Sequence, residues 1–162
     1  MPTFACRCAR CGGAAGGGKT DLALGKAFTQ FENAIIFRRL YTQLDGIITR
    51  GDEIQDGRCS YVAGDKKRWM TADGRIIKLG AIEHEKNKAD YKSRARDFMV
   101  FDEAADFTES MVRFVMGWLR TGNPDIHPQV LMTFNPPTSP EGEWIVKFFA
   151  PWIDPDYQGK RA

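Results

Sequence analysis

The apolar residues of this chain recur with two spacings, and the spacing changes from one stretch to the next. Short apolar runs, typical of buried parallel strands, occupy three stretches: 33–39, 98–101 and 129–134. Helical spacing marks four others: 19–31, 41–51, 110–120 and 141–152, the last ending at Pro151. Because strands and helices alternate, the pattern predicts an α/β fold with a parallel sheet flanked by helices and right-handed connections.

Other stretches depart from this alternation. Residues 68–82 predict a hairpin that turns at 72–74, and the polar stretch 83–97 predicts a surface loop or a short helix. Asp106 and Glu109 have the spacing of a capping box for the helix that follows them. The stretch "TFACRCARC" is a poor strand, because arginines interrupt it. It is either an edge-like strand or a sign that the chain does not begin at a natural domain start, and we favour the second.

Composition limits the class of protein. The 162 residues suffice for one domain with a real core, and a net charge of +2 neither indicates nor excludes a nucleic-acid partner. No apolar run approaches the roughly 20 residues that cross a bilayer, and no secretion signal is recognisable, so we expect a cytosolic protein without a membrane partner. The four cysteines lack the paired spacing of a zinc site, so we expect reduced thiols: Cys6, Cys8, Cys11 and Cys59.

A glycine-rich stretch carries the first chemical signal. Gly13, four further positions and then Gly18-Lys19-Thr20 match the phosphate-binding loop, in which backbone amides surround an anion at a helix N-terminus. A flexible linker is the alternative, but a helical pattern follows the glycines directly. We expect Lys19 to reach the β- and γ-phosphates and Thr20 to ligate Mg²⁺. The nucleotide-binding residues are then Gly13, Gly16, Gly17, Gly18, Lys19 and Thr20.

The second signal is a pair of acids after a buried strand. "FMVFDEAADF" places Asp102 and Glu103 at the carboxyl end of the run 98–101, where α/β sheets bind ligands. Asp102 is expected to hold Mg²⁺, and Glu103 to polarise the water that attacks the γ-phosphate. An acidic helix start is the alternative interpretation.

The third signal is "LMTFNPP". It brings Thr133 and Asn135 to the same edge of the sheet, where the amide could sense the γ-phosphate. A turn at Asn-Pro is the alternative.

These stretches, in this order, resemble the ATPase domain of phage terminase large subunits, the motors that pump DNA into capsids. The resemblance extends over most of residues 12–156, including "IIFRRLYTQLDGII" and "MTFNPPTSPEGEWIVKFFAPWIDPD". It implies a P-loop NTPase fold of the ASCE type, with Lys19 and Thr20 in Walker A and Asp102 and Glu103 in Walker B. It also implies a coupling motif at 133–137, while Arg38 and Arg39 would contact phosphate or DNA unless they form a solvated strand end.

The same resemblance implies cofactors and partners. They are ATP and Mg²⁺, double-stranded DNA, the portal protein, the small terminase subunit and further copies in a homo-oligomeric ring, all in the cytoplasm of the bacterial host. We expect residues 1–11 to be irregular, 12–150 to form the ATPase domain and 151–162 to begin a linker. The family's nuclease domain and a preceding N-terminal segment have no counterpart here, so we expect an ATPase fragment without nuclease activity. A helicase of the same ATPase class, or a degenerate non-catalytic remnant, is the alternative.

Overall fold

The computed structural model describes residues 7–12, 18–64, 67–153, 156 and 158. Seven strands form one sheet: β1 (Arg7–Gly12), β2 (Asn33–Arg38), β3 (Cys59–Val62), β4 (Arg68–Thr71), β5 (Ile76–Ala81), β6 (Phe98–Phe101) and β7 (Gln129–Phe134). Four α-helices accompany them: α1 (Lys19–Gln30), α2 (Leu44–Gln55), α3 (Glu109–Met116) and α4 (Trp144–Ile153). Short 3₁₀ turns precede α2, β6, α3 and α4: Tyr41–Gln43, Glu85–Tyr91, Ala104–Asp106 and Pro140–Gly142.

The strand order is β1-β7-β6-β2-β5-β4-β3. The first five strands in this order are parallel, as predicted, while β5, β4 and β3 pair antiparallel. The predicted hairpin at 68–82 is β4 and β5, so the sheet is mixed rather than purely parallel. β1 lies at one edge and pairs with β7, which agrees with the edge-strand interpretation. The expectation of an irregular segment over residues 1–11 is therefore wrong for residues 7–11, because hydrogen bonds to β7 hold them in a strand.

Side chains that alternate along the central strands bury both faces of the sheet. One face packs against α1 and α2 and carries Ile36, Ile77, Leu79 and Val100. The opposite face packs against α3 and α4 and carries Ile35, Phe37, Met99 and Phe101. This two-sided burial explains why the central strands read as apolar runs. No helix in the described part of the chain is long and apolar enough to cross a membrane.

Several helix boundaries differ from the sequence prediction, among them α2, which runs from Leu44 to Gln55 instead of 41–51. The capping box at Asp106 is wrong, because residues 104–106 form a 3₁₀ turn and Thr108 is the N-cap, its hydroxyl accepting from the Met111 N–H at 3.3 Å. Helix α3 ends at Met116 instead of 120. Helix α4 continues to Ile153, because Pro151 lies in its last turn and removes only one hydrogen-bond donor there.

Candidate nucleotide-binding site

The carboxyl ends of β2, β6 and β7 meet the first turn of α1 at one edge of the sheet. β2 ends at Arg38, Asp102 follows β6, Thr133 is near the end of β7, and Lys19 opens α1. Parallel neighbours end at the same edge, so side chains distant in sequence converge there. The structure thus assembles most of the residues that the three motifs predicted.

Asp102 is the centre of this cluster and is 2% exposed. Its Oδ2 accepts from Arg38 Nε at 2.8 Å and Nη2 at 2.6 Å, and from the Thr20 hydroxyl at 3.4 Å. Its Oδ1 accepts from the Thr133 hydroxyl, and its backbone N–H donates to the Phe37 carbonyl at 3.0 Å. A buried carboxylate requires such charge compensation and hydrogen bonding, and Arg38 supplies the charge.

Lys19 connects the glycine-rich stretch to the end of β7. Lys19 is buried as a residue, and its Nζ donates to Asn135 Oδ1 at 2.8 Å. The Asn135 amide donates in turn to Glu103 Oε2 at 3.5 Å. One amide therefore lies between the predicted phosphate-binding cation and the predicted general base.

Glu103 has a backbone conformation that non-glycine residues rarely adopt. Its φ of 55° and ψ of 56° are left-handed, which costs a non-glycine residue about 1–2 kcal/mol. Its backbone N–H donates to the Thr133 hydroxyl at 3.3 Å. The turn after β6 is thus held by β7, and it directs the half-buried Glu103 toward Asn135. Non-glycine residues in this conformation cluster at functional sites.

Gly18 begins α1 from a left-handed conformation as well, with φ of 66° and ψ of 17°. Glycine adopts this conformation at no steric cost, so any other residue at this N-cap would be strained. The other glycines of the predicted loop, Gly13, Gly16 and Gly17, lie outside the described residues.

The two adjacent arginines after β2 have different surroundings. Arg38 belongs to the cluster around Asp102, whereas Arg39 Nη1 donates to the carbonyl of Ile82 and contacts Met111 Sδ at 3.3 Å. The structure therefore brings Arg38, and not Arg39, to the candidate site.

Thr20 and Asp102 have the donor chemistry that Mg²⁺ prefers. One hydroxyl and one carboxylate oxygen lie 3.4 Å apart, and both are hard oxygen ligands. Mg²⁺ in nucleotide sites takes one or two protein ligands and fills the remainder with water and phosphate oxygens. No group of three or more His, Cys, Asp and Glu side chains in the described part of the chain could hold a metal.

Gly142, which none of the three motifs indicated, fixes the segment after Asn135. A Cβ at this position would lie 2.8 Å from the carbonyl oxygen of Ala105 and 2.9 Å from Pro137 Cβ. The segment 137–142 therefore packs directly on the turn that follows Glu103. The glycine in "SPEGEW" was the available signal.

The cysteines lie apart from this cluster. Cys59 is half-buried in β3, and burial raises the pKa of its thiol. Cys6 and the side chains of Cys8 and Cys11 lie outside the described residues, so the expectation that no zinc binds stays a prediction.

No protein-family model matches the sequence, and no curated protein matches it either. Solved structures do resemble it. The large terminase of bacteriophage HK97 superposes with a TM-score of 0.59 at 11% identity, over 93% of this chain and 34% of that one. The large terminase of a thermophilic bacteriophage in complex with ADP gives 0.56 at 16% identity, over 80% and 33%.

The N-terminal domain of the DNA packaging ATPase from bacteriophage phi29 gives a TM-score of 0.56 at 13% identity, over 87% of this chain and 79% of that domain. This chain spans about a third of the two large terminases and most of the phi29 domain. The resemblance inferred from the motifs is confirmed for the fold: this chain has the fold that phage large terminases share with the N-terminal domain of the phi29 packaging ATPase.

Proposed function

We propose that this chain is the ATP-hydrolysing motor domain, or a fragment of the motor, of a DNA-packaging terminase large subunit. The observation that carries the proposal is the hydrogen-bonded series Lys19–Asn135–Glu103 beside Asp102 at the carboxyl edge of the sheet. Neither a flexible linker nor an acidic helix start, the alternative interpretations of the first two motifs, requires such a series of hydrogen bonds. It supplies a cation, an amide and a base within one polar cluster.

The residues have separate roles in this proposal. Gly18 and its neighbours direct backbone amides at the phosphates, and Lys19 exchanges its Asn135 contact for the β- and γ-phosphate oxygens. Thr20 and Asp102 would hold Mg²⁺, which neutralises charge on the phosphates when it is bound. Glu103 accepts the proton of the water that attacks the γ-phosphate.

Asn135 connects the nucleotide to the rest of the domain. It contacts Lys19 and Glu103, and the segment that follows it packs on the turn after Glu103 through Gly142. A change in the phosphates would therefore move this segment, which is the expected behaviour of a sensor and coupling motif. Thr133 holds both acidic residues and acts as a positioning residue.

Arg38 changes partner in this proposal. Asp102, which would hold Mg²⁺, accepts from the guanidinium group of Arg38 at Oδ2. A bound triphosphate would offer Arg38 another anion, so we assign Arg38 a phosphate contact. Double-stranded DNA, the portal protein, the small terminase subunit, a ring of subunits and the host cytoplasm belong to the same proposal, by resemblance.

Removal of Lys19 tests the proposal directly. Lys19→Ala should lower the affinity for Mg·ATP by about ten- to a hundredfold, because a charge-assisted hydrogen bond contributes about 1.5–3 kcal/mol. Lys26→Ala in the same helix is the matched control and should leave the affinity unchanged. Calorimetric titration measures both, and circular dichroism verifies folding.

Tight ATP binding by Lys19→Ala would contradict the phosphate-loop assignment. ATP hydrolysis by the wild-type chain should rise when double-stranded DNA is added. Separation of the two strands of the added DNA during ATP hydrolysis would favour a helicase instead.

A further inference from the structure

Four cations gather on one face of the sheet, away from the nucleotide edge. Lys78 alternates along β5 with Ile77 and Leu79, which face α1 and α2, so its side chain lies on the opposite face. Arg68 is directly across from Lys78 in the pairing of β4 with β5. Directly opposed residues of antiparallel strands have neighbouring side chains on the same face.

The segment after Tyr91 adds two more cations to this face. Gly80 is the next residue of β5 on the side of Lys78, and a Cβ there would lie 2.6 Å from the Tyr91 hydroxyl. The chain therefore crosses the sheet closely at this point, and Arg94 and Arg96 follow it. We call Arg68, Lys78, Arg94 and Arg96 the basic face.

The cations of the basic face lie near carboxylates but do not pair with them in the described part of the chain. None of its four side chains forms an ion pair there, and the Nε atoms of Arg68 and Arg96 are buried without a hydrogen-bond acceptor. Burial, followed by the charges of Arg94, Arg96 and Arg68, lowers the pKa of the Lys78 ammonium group.

The nearby carboxylates make other contacts or lie beside these cations without an ion pair. Asp97 accepts the backbone N–H groups of Glu32 and Asn33. Glu83 and Asp90 line a cavity of about 260 Å³ together with Lys78 and Arg94, and neither carboxylate forms an ion pair with these two cations. Like charges opposed across two strands destabilise a sheet, so an external anion would relieve this arrangement.

We propose that the basic face binds the phosphate backbone of double-stranded DNA. The proposal rests on the proposed function, in which DNA is the substrate that the motor moves. Duplex DNA carries one charge per about 1.7 Å of its axis, which suits several cations close together on one surface. Guanidinium groups match phosphate oxygens in both charge and geometry.

The basic face is separate from the nucleotide site. Lys78 lies three residues before Ala81, the end of β5 that pairs with Arg38, and three strand residues span about 10 Å. Substitutions on the basic face should therefore leave ATP binding unchanged.

The experiment compares two double variants of the full chain with the same change in net charge. Lys78→Met/Arg94→Gln removes charge from the basic face and keeps the apolar stem of Lys78. Lys147→Met/Arg120→Gln removes the same charge from exposed positions elsewhere. Fluorescence anisotropy measures the affinity of each for a short labelled DNA duplex at about 50 to 200 mM salt, the range in which phosphate contacts dominate.

The basic-face variant should bind the duplex more weakly, and its slope of log affinity against log salt should be smaller by about 1.8, or about 0.9 for each lost phosphate contact. The ratio of its affinities at the lowest and highest salt concentrations should then be about tenfold smaller than the same ratio for the wild type. The control variant should keep the wild-type slope, and both variants should keep wild-type thermal stability and Mg·ATP affinity.

Three results would overturn the proposal. The first is equal DNA affinity and slope for both double variants, and the second is a wild-type chain that does not bind the duplex. The third is a basic-face variant that loses affinity for poly-glutamate while keeping its affinity for DNA, which would assign the face to an acidic protein. A failure of the proposed function appears separately, as absent ATP binding by the wild-type chain.

Discussion

Replacement of Thr133 by valine removes one hydroxyl from the centre of the candidate site and leaves the side-chain shape nearly unchanged. Thr133 is 0% exposed. Its hydroxyl donates to Asp102 Oδ1 and accepts from the Glu103 backbone N–H at 3.3 Å. Any effect of the substitution therefore reports on these two hydrogen bonds.

The structure sets the size of the effect. A hydrogen bond to a charged group contributes about 1.5–3 kcal/mol, and a buried N–H without an acceptor costs about 1–3 kcal/mol. Because both bonds share one hydroxyl, their contributions overlap, and we expect Thr133→Val to lower the free energy of unfolding by about 3 kcal/mol. Thr133→Ser keeps the hydroxyl and loses one methyl group, which costs about 1 kcal/mol.

Urea unfolding followed by circular dichroism compares the two variants with the wild type. A second measurement separates positioning from packing, because Thr133→Val should lower the rate of ATP hydrolysis more than the affinity for ATP. The hydroxyl holds the two acidic residues and makes no phosphate contact in the proposed mechanism. If the valine variant were as stable as the serine variant, the hydroxyl would not hold Asp102 and Glu103 in place, and the reasoning would be wrong.

Two other tests address the base and the packing of α2. Glu103→Gln should lower ATP hydrolysis by roughly 10²–10⁴-fold at unchanged Mg·ATP affinity, the usual contribution of a general base, whereas Asp102→Asn should also weaken Mg·ATP binding. Discontinuous assays of phosphate release measure hydrolysis by the two variants, and calorimetry measures their affinity for Mg·ATP. Identical behaviour of the two variants would contradict separate roles for Glu103 and Asp102. Gly51→Ala should destabilise the domain by about 1–3 kcal/mol, because its Cβ would lie 2.5 Å from the buried Trp69 ring. Gly46→Ala in the same helix has open space and should gain about 0.5–1 kcal/mol, so equal thermal midpoints would refute the packing argument.

The sequence was sufficient to predict which residues reach the nucleotide edge. The run 98–101 is buried on both faces, so its apolar composition marked a central strand and gave Asp102 its place at the carboxyl end. The run 129–134 did the same for Asn135. Polar residues that directly follow such runs converge because parallel strands end together.

The sequence alone could not predict which of two nearby residues takes a role when both side chains are chemically suited to it. Arg38 and Arg39 both suit an anion, and only the tertiary structure directs one to Asp102 and the other to the Ile82 carbonyl. Asp106 and Thr108 both suit an N-cap, and the 3₁₀ turn after Glu103 selects the second. Strand order was also beyond the local pattern, because it depends on pairings between residues far apart in sequence.

The pairing of β1 with β7 determines when the candidate site can exist during synthesis. Lys19 and its partner Asn135 are separated by 116 positions, which take about ten seconds to translate at about 5–20 residues per second. Until β7 leaves the ribosome, β1 lacks its partner, and the edge of β6 that β7 later covers stays open. Contacts of such long sequence separation form late and slow folding. Under the proposed function, ATP would stabilise the completed domain and would not assist the nascent chain. The open edge of β6 is then the place where a chaperone or a second nascent chain would bind.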